Sequence, residues 1–363
     1  MSTSTRPPVP ARLSFLDRWL PVWIMAAMVL GILLGRFIPA LGRLLDSWTV
    51  GGISVPIGLG LLVMMYPPLA KVRYDKTAEI ATNRRLMALT VALNWILGPA
   101  LMFALAWILL PDLPEYRTGL VIIGLARCIA MVLIWNDLAC GDREAAAVLV
   151  AINSVFQVVM FSVLGWFYLQ VLPSWIGLET TSAEFSFTAI LMSVLVFLGV
   201  PLLAGFLSRI LGERARSRHW YETTFLPRIS PLALGGLLYT IVVLFSLQGG
   251  QLTSNPWAVV RISIPLVLYF FIMFVLATLV SRAAGFGYAT STTIAFTAAG
   301  NNFELAIAVA IGTFGAVSGQ ALAGTIGPLI EVPVLLALVY VAMWWAPRLF
   351  PGDPSVPGRA RVR

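Results

Sequence analysis

The chain has 363 residues, of which 59% are apolar and only 11% are charged. Soluble globular domains are about 45–50% apolar and about 25% charged, so this composition excludes a set of soluble domains and a disordered chain. The net charge of +8 could indicate nucleic-acid binding. In a membrane protein, however, basic residues mark the cytoplasmic loops, so we interpret the charge as a topology signal and expect no nucleic-acid partner.

Long apolar stretches recur along the whole chain. A transmembrane helix requires about 20 mostly apolar residues. Ten stretches meet this requirement, and in chain order they are 19–38, 51–70, 86–110, 117–138, 144–172, 185–208, 229–248, 257–281, 288–313 and 318–346. The sequence therefore predicts an all-α polytopic membrane protein with ten transmembrane helices embedded in lipid.

The lysines and arginines are distributed unequally between the two sides of these ten spans. The side that carries both chain termini has 19 of the 24 basic residues, and the other side has four. Because an excess of basic residues marks cytoplasmic loops, we expect both termini in the cytoplasm. The predicted location is the plasma (cytoplasmic) membrane, with cytoplasmic tails at residues 1–18 and 347–363.

A weak internal repeat relates the two halves of the chain. An offset of 174 residues places Cys128 of the fourth span on Asn302 of the ninth, and it also superposes the fifth span on the tenth. Each half, 19–172 and 185–346, contains five spans, and an odd number gives the halves opposite orientations. Secondary transporters share this inverted-repeat plan, with substrate bound near the midplane at broken helices. The alternative is that two apolar segments align by composition alone.

Polar residues lie in the middle of the fourth and ninth spans, at corresponding places in the two halves. The fourth span carries Arg127 and Cys128, and the ninth carries Asn301, Asn302 and Glu304. Polar and charged groups inside a membrane are costly and are functional candidates by default. A glycine followed by two asparagines is also a poor helix interior. We therefore expect the ninth helix, and by symmetry the fourth, to be broken at the midplane.

Further polar side chains lie in the third, fifth and tenth spans. Asn94, Asn153 and Gln157 are predicted to form a supporting polar network. For Asn153 and Gln157, hydrogen bonding between helices is a simpler interpretation than ligand binding. Glu331 aligns with Gln157 at the 174-residue offset and is a candidate for ion coupling.

Arg127 and Cys128 each permit a purely structural interpretation. Arg127 could pair with Glu304 or Glu331 simply to neutralise a buried charge. A lone cysteine is usually a small apolar core residue. A thiol beside an arginine and a helix end, in contrast, has its thiolate form favoured. Cys140, at the end of the fourth span, is interpreted as incidental.

Signatures of ATP hydrolysis and of common enzymes do not occur in the sequence. Neither Lys71 nor Lys76 belongs to a glycine-rich phosphate loop, and there is no H-E-x-x-H or G-x-S-x-G motif. Two cysteines and one histidine are too few for a disulfide framework or a structural zinc site. We therefore expect neither enzymatic activity nor a bound cofactor.

Four segments have a distinctive sequence. They read LLVMMYPPLAKVRY (61–74), GLARCIAMVLIWNDLACGDRE (124–144), FTAAGNNFELAIAVAI (296–311) and IGPLIEVPVLL (326–336). Together they resemble the arsenite efflux permeases of the yeast-type arsenical-resistance family, which belongs to the bile-acid/arsenite/riboflavin transporter group. The resemblance extends over nearly the whole chain.

This resemblance has implications for both fold and function. It implies ten helices in two inverted repeats, with a panel domain and a core domain, and with the fourth and ninth helices unwound where they cross. It implies export of As(III), and sometimes of Sb(III), in exchange for protons. The cysteine that the family requires corresponds to Cys128, and the acidic residue that it requires corresponds to Glu304.

The residues at the two breaks suit this chemistry. Trivalent arsenic is thiophilic and soft thiolates suit soft centres, so Cys128 is the predicted As(III) ligand. A midplane carboxyl near an arginine is a suitable proton carrier, which makes Glu304 the first candidate and Glu331 the second. The other predicted substrate-binding residues are Arg127, Asn301 and Asn302.

Two other functions fit part of the pattern. The first is a sodium-coupled importer of organic anions from the same transporter group, because a broken-helix site also suits sodium. Such an importer has no need of a thiol beside Arg127. The second is a membrane sensor or enzyme that transports nothing.

Overall fold

The computed structural model describes residues 19–38, 48–50, 53–72, 83–129, 131–178, 187–254 and 256–357. Most of these residues are helical. Two strands of two residues each, Thr49–Val50 and Ile53–Ser54, form a small antiparallel hairpin near the start of the chain.

The described residues form twelve helices of eight or more residues, which we number in chain order. They are α1 (Leu20–Phe37), α2 (Val55–Ala70), α3 (Arg84–Leu109), α4 (Pro114–Leu125), α5 (Met131–Leu138), α6 (Arg143–Trp175), α7 (Phe187–Ala215), α8 (Leu226–Ser254), α9 (Pro256–Ala283), α10 (Tyr288–Ala299), α11 (Phe303–Phe314) and α12 (Gly319–Leu349). Short helical turns from Arg218 onward lead into α8.

Six helices in the described part of the chain are long and apolar enough to cross a membrane. They are α3, α6, α7, α8 with its leading turns, α9 and α12. Helices α1, α2 and α11 are also apolar but shorter. Their lengths and compositions indicate a multi-pass membrane protein, as the overall composition predicts.

Each predicted apolar stretch overlaps a helix, but several boundaries differ. The stretch 229–248 marks only the apolar part of a longer helix, because its polar beginning and end remain helical. The stretches 117–138 and 288–313 each contain two helices separated by a break. The stretch predicted to end at residue 346 continues as α12 to Leu349.

Side-chain caps fix where several helices begin. Asn83, Asp142 and Ser318 accept hydrogen bonds from backbone N–H groups in the first turns of α3, α6 and α12, respectively. The first four N–H groups of a helix have no partner within the helix, so these caps satisfy donors that would otherwise be unpaired.

Helices α1, α2, α7 and α8 pack together, with α8 lying along both α1 and α2. Gly31 and Gly35 are one turn apart on α1 and face α8. A Cβ atom at Gly31 would lie 2.7 Å from the carbonyl oxygen of Val242, and one at Gly35 would collide with the carbonyl oxygen of Ser246. The two glycines therefore permit the close helix approach that small residues provide in membranes.

The remaining helices form a second packed group. Helix α9 contacts α3, α10 and α12, and α12 also contacts α4 and α11. The first half of α7 contacts α6 and α11, which joins the two groups. The breaks between α4 and α5 and between α10 and α11 lie inside this second group, and they position the candidate site.

Candidate functional site

Two breaks in the helices meet at one place, which we call the crossing: residues 126–129 between α4 and α5, and residues 300–302 between α10 and α11. Arg127 and Asn301 pair as an antiparallel β-bridge. The Cys128 N–H donates to the Gly300 carbonyl oxygen at 3.4 Å, and the Asn302 N–H donates to the Ala126 carbonyl oxygen at 3.1 Å. Each broken segment therefore satisfies backbone groups of the other, where the sequence predicts the helices to break.

Gly300 allows the two segments to approach closely. A Cβ atom at this position would lie 3.0 Å from the Cβ of Cys128 and 3.7 Å from its sulfur atom. Cys128 is buried, with 3% of the residue exposed. The thiol thus lies directly against the opposite broken segment.

The following helix holds each broken segment in the same way. The Arg127 N–H donates to Gln157 Oε1 of α6 at 2.9 Å. The Asn301 N–H donates to Glu331 Oε1 of α12 at 3.3 Å. The donor and acceptor residues are 30 positions apart in both cases, and the two contacts are related by the 174-residue offset. Gln157 and Glu331 therefore hold the crossing at equivalent positions.

The Arg127 side chain is fully buried and bonded to neutral acceptors. Its guanidinium donates to the Tyr269 hydroxyl at 2.9 Å, to the Ala298 carbonyl oxygen at 3.4 Å and to the Gly124 carbonyl oxygen. Among the described residues it forms no ion pair with an acidic side chain. Pairing with Glu304 or Glu331 is therefore not how this structure accommodates the charge.

Two residues around Arg127 were not predicted. Tyr269 of α9 donates its hydroxyl to the Ala298 carbonyl oxygen at 3.4 Å, and accepts a hydrogen bond from Arg127. A Cβ atom at Gly98 would lie 2.7 Å from a terminal guanidinium nitrogen, so this glycine makes room for the arginine. The only sequence signal was a hydroxyl-bearing ring and a glycine within apolar spans, which is too common a pattern to single them out.

The asparagines of the second segment are both positioned by the backbone. Asn302 caps α11, since its Oδ1 accepts the Leu305 N–H at 3.1 Å. Asn301 donates its side-chain amide to the Ile123 carbonyl oxygen at 2.6 Å. Glu304 lies in the first turn of α11, where the helix dipole favours a negative charge. It is only half-buried, whereas Glu331 is 2% exposed, so Glu304 is the more accessible carboxylate.

The predicted supporting network is only partly connected to the crossing. Asn153 accepts a hydrogen bond from the Trp95 indole at 3.1 Å, and its backbone carbonyl accepts one from the Gln157 amide at 3.3 Å. Asn94 instead donates to the Thr90 carbonyl oxygen of its own helix at 2.9 Å. It lies in a π-helical turn of α3, one turn before the glycine that makes room for Arg127.

Several buried polar atoms in and around the crossing have no hydrogen-bond partner in the described part of the protein. They are Arg127 Nε, Asn94 Oδ1, Asn153 Nδ2, Asn301 Oδ1 and Asn302 Nδ2. Most buried polar atoms in proteins are hydrogen-bonded, and an unsatisfied one costs about 1–3 kcal/mol. The unpaired atoms comprise both donors and acceptors.

Cys140 lies in a different environment. It is buried in a small cluster with Tyr288, Ala346, Phe350 and Val356 at the end of α5. Burial raises the pKa of its thiol above the ordinary value. A protonated thiol is a poor nucleophile, and that Cys140 is incidental to ligand binding stays a prediction.

No group of three or more histidine, cysteine and acidic side chains is placed to hold a metal ion in the described ranges. The sequence has one other cysteine, Cys140, which lies in a separate cluster, so Cys128 offers the crossing a single sulfur atom. Such an arrangement can bind a soft metal or metalloid ion reversibly. One thiolate forms one strong bond to the ion, and the ion's other ligands form only hydrogen bonds with the protein.

The chain matches a protein family over part of its length and individual proteins over nearly all of it. The Sodium Bile acid symporter family matches residues 58–255. The arsenical-resistance protein Acr3 of Corynebacterium glutamicum is 67% identical over 360 residues, which cover 99% of this chain and 97% of that protein.

Two more distant relatives cover nearly the same length. An arsenical-resistance protein Acr3 of Alkaliphilus metalliredigens is 30% identical over 340 residues, with 91% of this chain and 93% of that protein covered. An uncharacterised transporter of Synechocystis is 32% identical over 366 residues, with 94% and 92% covered.

Proposed function

The chain belongs to the Sodium Bile acid symporter family and to its arsenical-resistance permeases, and from that premise we propose that it exports trivalent arsenic from the cytoplasm in exchange for protons. As a member of a transporter family it is a transporter and not an enzyme. Arsenite is the proposed main substrate. Antimonite is a proposed second substrate, because trivalent antimony has a similar preference for soft ligands.

The position of Cys128 is the observation that carries this proposal. Its thiol lies against Gly300 at the crossing, beside the buried Arg127. We infer that the sulfur binds arsenic, while Arg127, Asn301 and Asn302 bind its hydroxyl groups through atoms that have no hydrogen-bond partner among the described residues. A single thiol bond is strong enough for recognition and still permits release.

Proton coupling is assigned to Glu304 first. Arsenous acid is mostly neutral at neutral pH, so the membrane potential alone cannot expel it, and uphill export requires a coupled ion. Glu304 is half-buried at the start of α11, two residues from Asn302, so its protonation would compete with substrate binding. Glu331 is the second candidate, although its carboxylate already accepts the Asn301 N–H.

We further propose the inverted-repeat plan for the whole chain. The two halves would be 19–172 and 185–346, with ten spans in the plasma membrane and both termini in the cytoplasm. The paired contacts of Gln157 and Glu331 support this plan, because both obey the same 174-residue offset. In this plan α1, α2, α7 and α8 form the panel domain, and the other helices form the core domain.

A sodium-coupled importer remains the second candidate, since the family's name describes sodium symport. Arsenite counterflow in proteoliposomes separates the possibilities. We expect the purified protein to exchange arsenite without sodium. In everted vesicles, whose lumen corresponds to the outside of the cell, we expect an acidic lumen to drive arsenite accumulation as protons leave. Transport of an organic acid that requires sodium would favour the importer, and counterflow of neither substrate would favour a non-transporting membrane protein.

A further inference from the structure

The residues that follow α12 fold back onto the start of α10. We call residues 350–357 the terminal strap. Asp353 Oδ2 accepts the Tyr288 N–H at 2.7 Å, and Ser355 Oγ accepts the Ala289 N–H at 3.3 Å. Asp353 Oδ1 in turn accepts the Ser355 N–H at 2.8 Å and its hydroxyl at 2.6 Å. The strap thus supplies acceptors for the first N–H groups of α10.

Helix α10 has no side-chain cap of its own, because its N-cap residue is Gly287. This glycine is also what lets the strap approach. A Cβ atom on Gly287 would lie 2.5 Å from Asp353 Oδ2. The cap of α10 is therefore provided by a segment of the same chain 65 residues further along. A Cβ at Gly287 would force the capping carboxylate to shift.

Apolar contacts reinforce the strap. Phe350 and Val356 are buried against Cys140 and Tyr288, and the rings of Tyr288 and Phe350 pack edge to face with centroids 5.8 Å apart. The Tyr288 hydroxyl donates to the Ala139 carbonyl oxygen at 2.7 Å. The strap, the beginning of α10 and the turn after α5 are therefore held as one unit.

The other end of α10 lies at the crossing. The helix has 12 residues, most of them buried, and it ends directly before Gly300. A helix of this length is a rod of about 18 Å, so a shift at its first turn is transmitted to its last. The Gly300 carbonyl oxygen accepts the Cys128 N–H. The strap and the thiol thus act on opposite ends of one short helix.

We propose that Asp353 is a positioning residue for transport, and that the terminal strap, by fixing the start of α10, sets how Gly300 lies against Cys128. Release of the strap then weakens substrate binding rather than abolishing the transport cycle. This rests on the proposed function to the extent that Cys128 contacts the substrate, whereas the docking of the strap and its effect on the thiol do not depend on what is carried.

Two variants release the strap from opposite sides. Asp353→Ala removes the carboxylate, and Gly287→Ala displaces it with a methyl group while the backbone at Gly287 stays in a region open to alanine. Gly235→Ala is the matched control, because a Cβ at that helical position meets no atom within 4 Å. Proteoliposomes containing equal amounts of each protein are compared, so that differences in insertion do not enter.

Three readouts test the proposal. Maleimide labelling of Cys140 in a Cys128→Ser background reports undocking of the strap, and labelling of Cys128 in a Cys140→Ser background reports the state of the crossing. Arsenite uptake gives the half-saturating concentration and the maximal rate. We expect both strap variants to label faster at Cys140, to change the labelling rate of Cys128, and to raise the half-saturating concentration about fivefold, which corresponds to about 1 kcal/mol.

The control should resemble the unsubstituted protein in all three readouts. Faster labelling of Cys140 with unchanged labelling of Cys128 and unchanged half-saturation would overturn the positioning role. Unchanged labelling of Cys140 in both strap variants would show that Asp353 does not hold the strap. That result would also overturn the positioning role. If the protein carries no arsenite, the proposed function fails, but the two labelling experiments still decide whether the strap positions the crossing.

Discussion

Arg127 and Glu304 have separate surroundings in the crossing. The guanidinium is fully buried and bonded to a hydroxyl and two carbonyl groups, and the carboxylate is half-buried at the start of α11. A buried charge without an opposite charge is costly, and the structure lowers that cost with aligned neutral dipoles. In the proposed export cycle the arginine attracts substrate oxygens and the carboxylate takes up the proton.

Glu304→Gln is expected to abolish arsenite uptake driven by a pH gradient, because the amide mimics a permanently protonated carboxyl. Glu304→Asp keeps the charge but shortens the side chain by one methylene, so we expect reduced uptake. Both are measured in everted vesicles against Glu144→Gln, which neutralises an exposed carboxylate at the start of α6 and should be near normal. Normal uptake by Glu304→Gln would contradict proton binding by Glu304, and Glu331 would then be the next candidate.

At the scale of single elements, the first turn of α10 depends on a carboxylate from another part of the chain. Partial burial acts to raise the pKa of Asp353, but hydrogen bonds from Ser355 and from the Tyr288 N–H outweigh it and hold the pKa below its ordinary value. The charged form is therefore bound more tightly in the folded protein than in the unfolded chain.

This shift predicts how the strap responds to pH. A carboxyl whose pKa is lowered by folding stabilises the protein fully above its unfolded pKa of about 3.9, and loses that contribution as the pH falls through the lower folded value. The unfolding temperature of the protein should exceed that of Asp353→Ala by a constant amount from pH 8 to pH 6. A cap of this kind contributes about 1 kcal/mol. Thermal scans in detergent check this, and a difference that vanishes between pH 8 and pH 6 would contradict it.

The sequence predicted some elements well and others not at all. The breaks around Arg127 and Asn301 were predictable because polar residues and glycine within apolar spans disfavour a continuous helix. Tyr269 and Asp353 were not predictable, because their roles depend on which distant helices pack together, and no local pattern encodes that. Hydropathy likewise marked the apolar part of α8 and missed its polar beginning.

At the scale of the whole molecule, the helices divide into two packed groups, and the crossing lies inside one of them. Helices α1, α2, α7 and α8 form one group, and the first half of α7 reaches the other through α6 and α11. In the inverted-repeat plan proposed above, alternating access would be movement of one such group of helices against the other. The crossing lies within one group, so its hydrogen bonds need not break when the two groups move relative to each other.

The topology of the whole chain gives an independent prediction. The excess of basic residues, 19 against four, predicts that both termini lie in the cytoplasm. A reporter that is active only in the cytoplasm should be active when fused after Arg363. A matched fusion after Asp112, in the loop before α4, should be inactive. The opposite result would contradict ten spans and with them the inverted repeat.

The most direct test of the central claim is arsenite uptake by everted membrane vesicles under an imposed pH gradient, compared between Cys128→Ser and Cys140→Ser. A hydroxyl is a poor ligand for soft arsenic, so the first variant should lose uptake by about tenfold or more, equivalent to at least about 1.4 kcal/mol, at equal insertion. The second should take up arsenite nearly as the unsubstituted protein does. Normal uptake by Cys128→Ser, or equal loss in both variants, would contradict binding of arsenic by the thiol at the crossing.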